Sequence, residues 1–426
     1  MLDIRLLREN PEAVRANLAR RRDPAKLELL ENVITWDAEW RRHLKDLEEL
    51  RHRRNVVSQE IGALVKEGKD ATTAKAEAAA LPGNIRNVEA RVEELRGAVD
   101  NAMHRIPNLL HESVPDGAGP QDNVVLRAFG TAKPADPWLR PHAELIEALA
   151  LGDFERARKV AGAGFYYLMG DLMILEQALI WYVLKLLSSR GFTPLFPPLI
   201  LRRDAYQGVA DLADFENVMY KIDGDDAFLI ATSEHAMAAM FKDEILDESR
   251  LPLRFAGLST NFRREIGAHG VDTKGLFRVH QFNKVEQFAF ATPETSWAIH
   301  EEFLRNVEDV FRSLEIPHRV IVLCSADTGP VMAKTIDLEA WYPRQDAYRE
   351  VASCSNAEDY QARRLSIRVG KTGGEKRLLH TVNSTAVATS RTLVAILENF
   401  QNEDGTVTVP KVLREFVGKD VLGRGA

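Results

Sequence analysis

Apolar residues recur at helical spacing between residues 26 and 103, in a segment almost free of proline and glycine. The second half of this segment repeats them at alternating intervals of three and four, which is a heptad seam. Its members are Ile85, Val88, Val92, Leu95 and Val99. The first half carries a looser stripe of Leu44, Leu47, Leu50, Val57, Ile61 and Leu64. A polar turn at 66–71 separates the halves, so the pattern predicts an antiparallel αα-hairpin, a coiled-coil arm. Pro82 and Gly83 should kink the returning helix or delay its start.

A segment rich in proline, glycine and aspartate, Pro107–Asp122, follows the arm and is predicted to be a linker. An apolar stretch from Leu168 to Ser189 then predicts a helix that ends before Gly191. Trp181 and Tyr182 of this helix are expected in the core, because large aromatic side chains contribute much of the apolar area that a domain buries.

Short apolar runs typical of strands alternate with helical segments through the rest of the chain. They are 195–200, 228–231, 258–261, 285–291, 319–324, 336–341 and 348–353. Their spacing does not repeat a βα unit, and neither GxGxxG nor GxxxxGK[ST] occurs in the sequence. The prediction is therefore an α+β fold with a mostly antiparallel sheet flanked by helices. The predicted organisation is an N-terminal domain at 1–110, a linker and lead-in at 111–160 and a further domain at 161–426.

Composition narrows the class of protein. The 426 residues are 45% apolar and 28% charged, and the net charge of −7 argues against a protein that coats nucleic acid. Cys324 and Cys354 stand outside any CxxC or Cys/His spacing, so no zinc site is expected. Such cysteine usage fits a reducing cytosol. The charged N-terminus does not resemble a secretory signal, and polar residues interrupt the greasy run from Met173 to Leu187, so a cytoplasmic protein without membrane spans is predicted.

The densest group of candidate chemical residues lies between 262 and 286. Phe262–Glu265 begins it and His280–Phe282 and Lys284–Glu286 end it, with Gly267, Gly270 and other glycines between. This pattern predicts two strands and a long loop. Arginine can bind a phosphate, phenylalanine can stack on a purine and glutamate can accept a hydrogen bond from an amine. The two predicted strands could therefore hold a nucleotide. The alternative is a surface hairpin with ordinary salt bridges.

Three segments, which follow one another along the chain, favour a nucleotide site over a surface hairpin. They are Gly191–Pro194 with Pro197 and Pro198, then the 262–286 group, then Asn383–Asn399 with an arginine at the base of a strong helix. They resemble motifs 1, 2 and 3 of the class II aminoacyl-tRNA synthetases. Within that class the chain resembles the seryl-tRNA synthetases over nearly its whole length, through the stretches MLDIRLLRENPEAVRANL, RIPNLLHESVP, GLFRVHQFNKVE, AKTIDLEAWYP and YREVASCSNAEDYQARR. One departure is NSTAVATSR in the third motif, where bacterial members are usually glycine-rich.

The resemblance implies an enzyme that activates L-serine with ATP and transfers it to the 3′ end of tRNA(Ser), with tRNA(Sec) as a further candidate. Arg263, Glu265 and Arg391 would be its catalytic residues. Arg263 would bridge the α-phosphate and the substrate carboxylate, Phe282 would stack on adenine, and Arg391 would bind the γ-phosphate. The implied ATP site comprises Arg263, Arg264, Glu265, Val279, His280, Gln281, Phe282, Glu350, Val351, Ala352, Ser353 and Arg391.

The resemblance also implies a serine site made of Thr232, Ser233, Glu234, Arg263, Glu286, Asn383 and Thr385. Glu286 would carry most of the selectivity, because a site built to bind a hydroxyl rejects the analogue that lacks it by a factor on the order of 10⁴–10⁵. Glu350 and Ser353 would bind Mg²⁺ together with ATP, since this cation prefers oxygen ligands.

A homodimer is expected, because motif 1 builds a twofold interface in this class. The arm would then bind tRNA by shape and phosphate contacts. Two alternatives remain. One is a synthetase-like ligase that loads an amino acid onto a carrier protein, although such relatives lack the arm. The other is an inactive RNA-binding paralogue, which the intact candidate residues argue against.

Overall fold

The computed structural model describes residues 1–210, 216–265, 275–370 and 374–423. Contacts between Cα atoms divide the chain into two compact units, Met1–Pro107 and Asn108–Ala426. Gly267 and Gly270, which the sequence places in a loop between two strands, lie outside the described residues.

The first unit consists of short helices followed by a long helical hairpin. Its helices are α1 (Ile4–Glu9), α2 (Pro11–Ala19), α3 (Pro24–Lys66) and α4 (Thr72–Met103). Asp23 caps α3, because its carboxylate accepts from the backbone N–H groups of Ala25 and Lys26, and Pro24 occupies the first position, where no N–H is needed. The prediction of a long αα-hairpin is confirmed, with the turn where the polar residues place it.

The heptad seam holds the hairpin together. Ile85, Val92, Leu95 and Val99 of α4 are buried, as are Leu47 and Val57 of α3. Ion pairs flank this seam: Arg51 with Glu89 at 2.7 Å, Arg53 with Glu77 at 2.6 Å and Arg91 with Glu39 at 3.0 Å. The charges of Arg51 and Arg53 are therefore partly neutralised by the facing helix.

The expectation that Pro82 delays the returning helix is wrong, because α4 begins ten residues earlier, at Thr72. Pro82 is exposed, while its neighbours Leu81 and Ile85 are buried against the arm. Tertiary packing on both sides of the proline thus compensates for the hydrogen bond that its missing N–H would make.

The second unit is built on a sheet that has eight strands within the described residues, in the order β1-β10-β11-β12-β15-β9-β8-β4. All of its pairs are antiparallel except β4 with β8, which is parallel. The α+β fold with a mostly antiparallel sheet is confirmed. The bounds are β1 (Val124–Phe129), β4 (Thr193–Leu195), β8 (Leu253–Phe262), β9 (Gln281–Ala291), β10 (His318–Val322), β11 (Lys334–Tyr342), β12 (Ala347–Glu358) and β15 (His380–Ala388).

Smaller sheets and helices complete this unit. The remaining strands are β2 (Gly152–Asp153), β3 (Tyr167–Leu168), β5 (Ile200–Arg202), β6 (Ala227–Leu229), β7 (Ile245–Leu246), β13 (Arg368–Gly370), β14 (Lys376–Leu378), β16 (Val407–Thr408) and β17 (Val421–Leu422). The helices are α5 (His142–Ala148), α6 (Phe154–Ala161), α7 (Gly170–Ser189), α8 (Arg203–Val209), α9 (Ser233–Ala238), α10 (Ser296–Ser313), α11 (Tyr360–Arg364), α12 (Thr389–Asn399) and α13 (Arg414–Val417). The single strand expected at 195–200 is wrong: the chain leaves β4 at Leu195 and enters β5 at Ile200, because Pro197 and Pro198 between them cannot donate to a ladder.

Helices α7, α10 and α12 contribute to the large core beneath the sheet. Leu175, Leu179 and Val183 of α7 are buried there. Trp181, expected in the core, is instead 62% exposed on the opposite side of this helix. Within the described chain, α7 is also the helix that is long and apolar enough to cross a membrane by length and composition, so the expectation that this run falls short was too strict. Half of that window is buried in the protein, as a core helix requires.

Candidate active site

The group of residues at 262–286 forms the ends of two paired strands. Phe262 at the end of β8 lies opposite Gln281 at the start of β9, and the Arg263 N–H donates to the His280 carbonyl at 2.9 Å. The Arg263 guanidinium donates to the Ala231 carbonyl at 3.2 Å and lies 5.3 Å above the Phe282 ring. Burial and then the nearby Arg391 lower the pKa of Arg263, which an arginine tolerates without losing its charge.

These strand ends open into a cleft of about 510 Å³, a volume that includes the solvent at its mouth. Eight residues expected from the sequence line it: Arg263, Glu265, Val279, Phe282, Glu350, Val351, Thr385 and Arg391. Five others that sequence reasoning did not assign also line it: Phe277, Arg278, Lys284, Ala388 and Ser390. Residues from motifs 2 and 3 and from β12, far apart in sequence, thus share one cavity.

Arg391 in the first turn of α12 reaches across to β12. Its guanidinium donates to the Glu350 carbonyl oxygen at 2.7 Å and lies 3.3 Å from the Glu350 carboxylate. Burial pushes the pKa of Glu350 up, but the charges of Arg391 and Arg263 outweigh it and hold that pKa below its ordinary value. Glu350 therefore stays ionised inside the cleft.

Phe277 and Arg278 belong to the segment GLFRVHQF that carries the resemblance, yet only its last four residues were assigned. Two guanidinium groups, those of Arg349 and Arg391, each lie 5.2 Å from the centre of the Phe277 ring. Arg278 pairs with Glu265 at 2.5 Å. An aromatic residue next to an arginine in this loop was the available signal, since cations favour aromatic faces.

The segment 232–234 forms the start of α9. The Thr232 hydroxyl accepts from the Glu234 N–H at 3.2 Å, which makes Thr232 the N-cap. The buried Ser233 hydroxyl donates to the Gly257 carbonyl at 3.0 Å, so it is used within the fold. A Cβ at Gly257 would come within 2.8 Å of Met237, so glycine is what lets α9 pack this closely on β8.

Glu286 lies at the centre of the site expected for serine. It faces Thr385 of β15 and Gly257 of β8 in the strand register, and the Thr385 hydroxyl donates to its Oε2 at 3.3 Å. Lys284 Nζ lies 2.5 Å from the same oxygen. Glu234 accepts from Gln361 at 3.1 Å, and burial together with the charge of Glu286 raises the pKa of Glu234 to about 7.

Several expected residues have side chains outside the cleft. His280 bonds through Nδ1 to the Tyr220 hydroxyl at 2.6 Å and stacks on Phe165, so it supports the loop. Ala352 is buried in the core, and the amide of Asn383 lies 3.8 Å from the Met332 sulfur. Arg264 is anchored by its N–H to the Val218 carbonyl, and Gln281 is exposed at the start of β9.

The proposed magnesium ligands lie together on β12. The Ser353 hydroxyl donates to Glu350 Oε1 at 3.3 Å. Asp337 on β11 is the register partner of Ser353, and its Oδ1 is buried without a hydrogen-bond donor among the described residues. A carboxylate, a hydroxyl and an orphaned carboxylate oxygen suit a hard divalent cation, so these residues fit Mg²⁺.

Comparison with known proteins first defines the class. A family model described as the tRNA synthetase class II core domain (G, H, P, S and T) matches residues 218–400. Residues 218–400 are therefore a class II synthetase core domain. A Giardia lamblia prolyl-tRNA synthetase in complex with prolyl-adenylate is 16% identical, covering 66% of this chain and 57% of its own at a TM-score of 0.57, and supports the fold alone.

The family follows from closer relatives. A model of the seryl-tRNA synthetase N-terminal domain matches residues 1–110. A serine–tRNA ligase from Methanoregula boonei is 53% identical, covering 98% of this chain and 99% of its own. Two solved structures each cover 99% of this chain: seryl-tRNA synthetase from Pyrococcus horikoshii complexed with ATP (44% identity, 99% of that chain, TM-score 0.94) and cytoplasmic serine–tRNA ligase from Naegleria fowleri with AMP (34%, 98%, 0.89). The chain belongs to the seryl-tRNA synthetases: it activates serine with ATP and transfers it to tRNA.

Proposed function

We propose that the cleft at the ends of β8 and β9 binds ATP bent between Arg263 and Arg391, with Phe282 against the adenine. The observation that carries this proposal is that these side chains, distant in sequence, line one cavity with Glu265 and Glu350. The similar Pyrococcus horikoshii enzyme was solved as a complex with ATP, which supports this proposal.

The first step then needs no general base, because the serine carboxylate is already a nucleophile. It attacks the α-phosphorus, the bond to the β-phosphate oxygen breaks, and pyrophosphate leaves as seryl-adenylate forms. Arg263, buried and charged, stabilises the negative charge that builds on the α-phosphate. The 3′-terminal hydroxyl of tRNA next attacks the seryl carbonyl carbon and AMP leaves.

Serine selection is assigned to the neighbouring residues. Glu286 accepts the substrate hydroxyl and Glu234 pairs with its ammonium group. Thr232 and Thr385 complete the side-chain contacts, with the backbone of Ser233, whereas the Asn383 amide is turned towards Met332 and is left out of the site. The proposal is supported by the position of Glu286 beside Thr385, one strand from Arg263.

Glu350 and Ser353 would hold Mg²⁺ with ATP. The cation would neutralise phosphate charge as pyrophosphate leaves. Arg391 keeps Glu350 ionised for this role, and Asp337 lies across the strand pair from Ser353.

A homodimer is proposed through the outer face of α7 and the segment that follows it. Met173, Ile174 and Trp181 share one exposed side of the helix, while Phe196 is 64% exposed a few residues beyond. An apolar face of this kind usually marks a protein interface. We also propose a cytoplasmic location, which the two free, buried cysteines support.

The arm formed by α3 and α4 is proposed to bind tRNA(Ser), and tRNA(Sec) is a further candidate. Because Glu39 and Arg91 lie 3.0 Å apart, residues 41–89 can be removed and Trp40 joined to Ala90 by a short glycine-serine turn. This leaves the base of α3, where Arg8 binds Asp37 at 2.7 Å. The shortened enzyme should keep serine-dependent ATP–pyrophosphate exchange and lose most charging of tRNA(Ser). Unchanged charging would reject the role of the arm.

The whole proposal is tested by exchange with serine, alanine and threonine in turn. Glu286→Ala should abolish serine activation in a folded protein, and Phe282→Ala should raise the KM for ATP. Near-normal serine kcat/KM in the first variant would reject the assignment of Glu286. Loading of a carrier protein but not tRNA would favour the ligase alternative.

A further inference from the structure

Lys284 is a buried lysine in the candidate cleft to which the proposed function gives no role. Lys284 is 6% exposed, and it lines the cleft. It follows Asn283 on β9 and lies opposite Ser259 of β8 and Ala388 of β15 in the register. Its ammonium group lies 2.5 Å from Glu286 Oε2, and within the described part of the chain Glu286 is its ion-pair partner.

Stability alone does not account for such a pair. Two residues apart on one strand, Lys284 and Glu286 point to the same face of the sheet. Burying both charges removes their hydration, so a buried ion pair is often no better for stability than apolar residues of similar volume. The pair is therefore more informative about the site than about the fold.

The contacts of Glu286 are unequal between its two carboxylate oxygens. Oε2 receives both the Lys284 ammonium and the Thr385 hydroxyl, the latter at 3.3 Å. Among the described residues no hydrogen-bond donor reaches Oε1. One oxygen is thus fixed by the protein, and the other is left to accept a donor from a ligand.

We propose that Lys284 is a positioning residue for serine recognition: its ammonium holds the Glu286 carboxylate in one orientation, so that Oε1 accepts the substrate hydroxyl. This inference rests on the proposed function of Glu286 in serine binding. It assigns Lys284 no contact with the reacting atoms.

A second carboxylate makes this cation necessary. Glu234 and Glu286 repel each other in a poorly hydrated site, and Lys284 is among the groups that oppose this repulsion at Glu234. Without Lys284, the repulsion between the two carboxylates would lack one of the cations that offset it at Glu234. The substrate needs both of them charged, one for its ammonium and one for its hydroxyl.

The test compares Lys284→Met with Lys419→Met, which removes a surface lysine paired with Asp171 at 2.8 Å. Serine-dependent pyrophosphate exchange is measured with each substrate varied. Lys284→Met should raise the serine KM by about 10- to 100-fold, the effect of losing a charged hydrogen bond, and leave the ATP KM within about twofold. Its preference for serine over alanine should fall by a similar factor. A serine KM equal to that of Lys419→Met, or equal losses for both substrates, would overturn the proposal.

Lys284→Met leaves a buried carboxylate unpaired and could prevent folding, so Glu286→Gln and the double variant Lys284→Met/Glu286→Gln are measured as well. If Lys284 acts through Glu286, adding the lysine change to Glu286→Gln should alter the serine KM by less than about threefold. A further tenfold loss in the double variant would refute a role through Glu286. If Glu286→Gln itself leaves serine recognition intact, the function proposed for Glu286 fails and this inference fails with it. If Glu286→Gln is impaired but Lys284→Met is not, only the inference about Lys284 fails.

Discussion

Glu234→Gln should stabilise the substrate-free enzyme while disabling it. Burial and the charge of Glu286 raise the pKa of Glu234 to about 7 from an ordinary 4.5. A pKa difference of this size corresponds to about 3 kcal/mol in the free energy of unfolding. Because the side chain is partly exposed and solvent screens its charge, we expect a change of about 2–3 kcal/mol. Glutamine keeps the oxygen that accepts from Gln361 and carries no charge.

The sign of the effect follows from proton binding. Between pH 4.5 and 7 the folded state holds a proton on Glu234 that the unfolded state has lost, so stability falls as the pH rises through this interval. The destabilisation caused by the charged Glu234 is absent below the pKa of this group in the unfolded state and complete above its pKa in the folded state. The variant should therefore exceed the wild type by about 2–3 kcal/mol at pH 8, and the difference should shrink towards zero near pH 4.5.

Urea denaturation without substrates, at pH 5 and pH 8, measures this difference, with the exposed Glu403→Gln as the matched control. Equal stabilities of wild type and Glu234→Gln at pH 8 would refute the reasoning. In pyrophosphate exchange the variant should lose at least about a hundredfold in serine kcat/KM, because the substrate ammonium loses its buried counter-charge. Wild-type kcat/KM for serine should itself fall as the pH drops below about 7, whereas the variant should show no such fall.

Three other changes test separate parts of the structure. Trp181→Glu on the exposed face of α7 should shift the protein towards monomer in sedimentation, whereas the equally charged change at exposed Val160 should not. Leu47→Ala in the arm seam should cost about 2–4 kcal/mol locally; hydrogen exchange in the arm should then quicken and tRNA charging weaken, while pyrophosphate exchange stays unchanged. Arg391→Lys should raise the ATP KM by at least about tenfold, since a lysine cannot both bind a phosphate with a planar fork and stack on Phe277; an unchanged ATP KM would contradict the assigned contact.

The arm was the most predictable part of the fold, because its stability depends on a local repeat that the sequence displays. A heptad seam specifies which residues meet without reference to the rest of the chain. The same locality explains the error at Pro82. Proline lowers the helix propensity of its own turn, but whether the helix continues depends on packing at Leu81 and Ile85.

Trp181 shows the limit of hydrophobicity as a signal. Helix α7 is apolar on nearly all sides, so its sequence distinguishes poorly between a face packed on the sheet and a face available to another molecule. Strand β15 was missed for a related reason. Most of its residues are small or hydroxylated, and they are buried by the neighbouring strands β9 and β12 and by helix α10, which packs on the strand.

Within the candidate site, the sequence could indicate residue types but not pairings. Arg391 and Glu350 are 41 positions apart, and their contact exists because α12 begins where β15 ends, beside β12. Lys284 stood unassigned between two assigned residues, since a lysine two positions from a glutamate is ordinary in a surface strand. Burial is what distinguishes Lys284: at 6% exposure its charge needs an ionic partner. Within the described chain that partner is Glu286, the residue proposed to recognise the serine hydroxyl. Selectivity for serine is therefore expected to depend on an interaction within the protein as much as on contacts with the ligand.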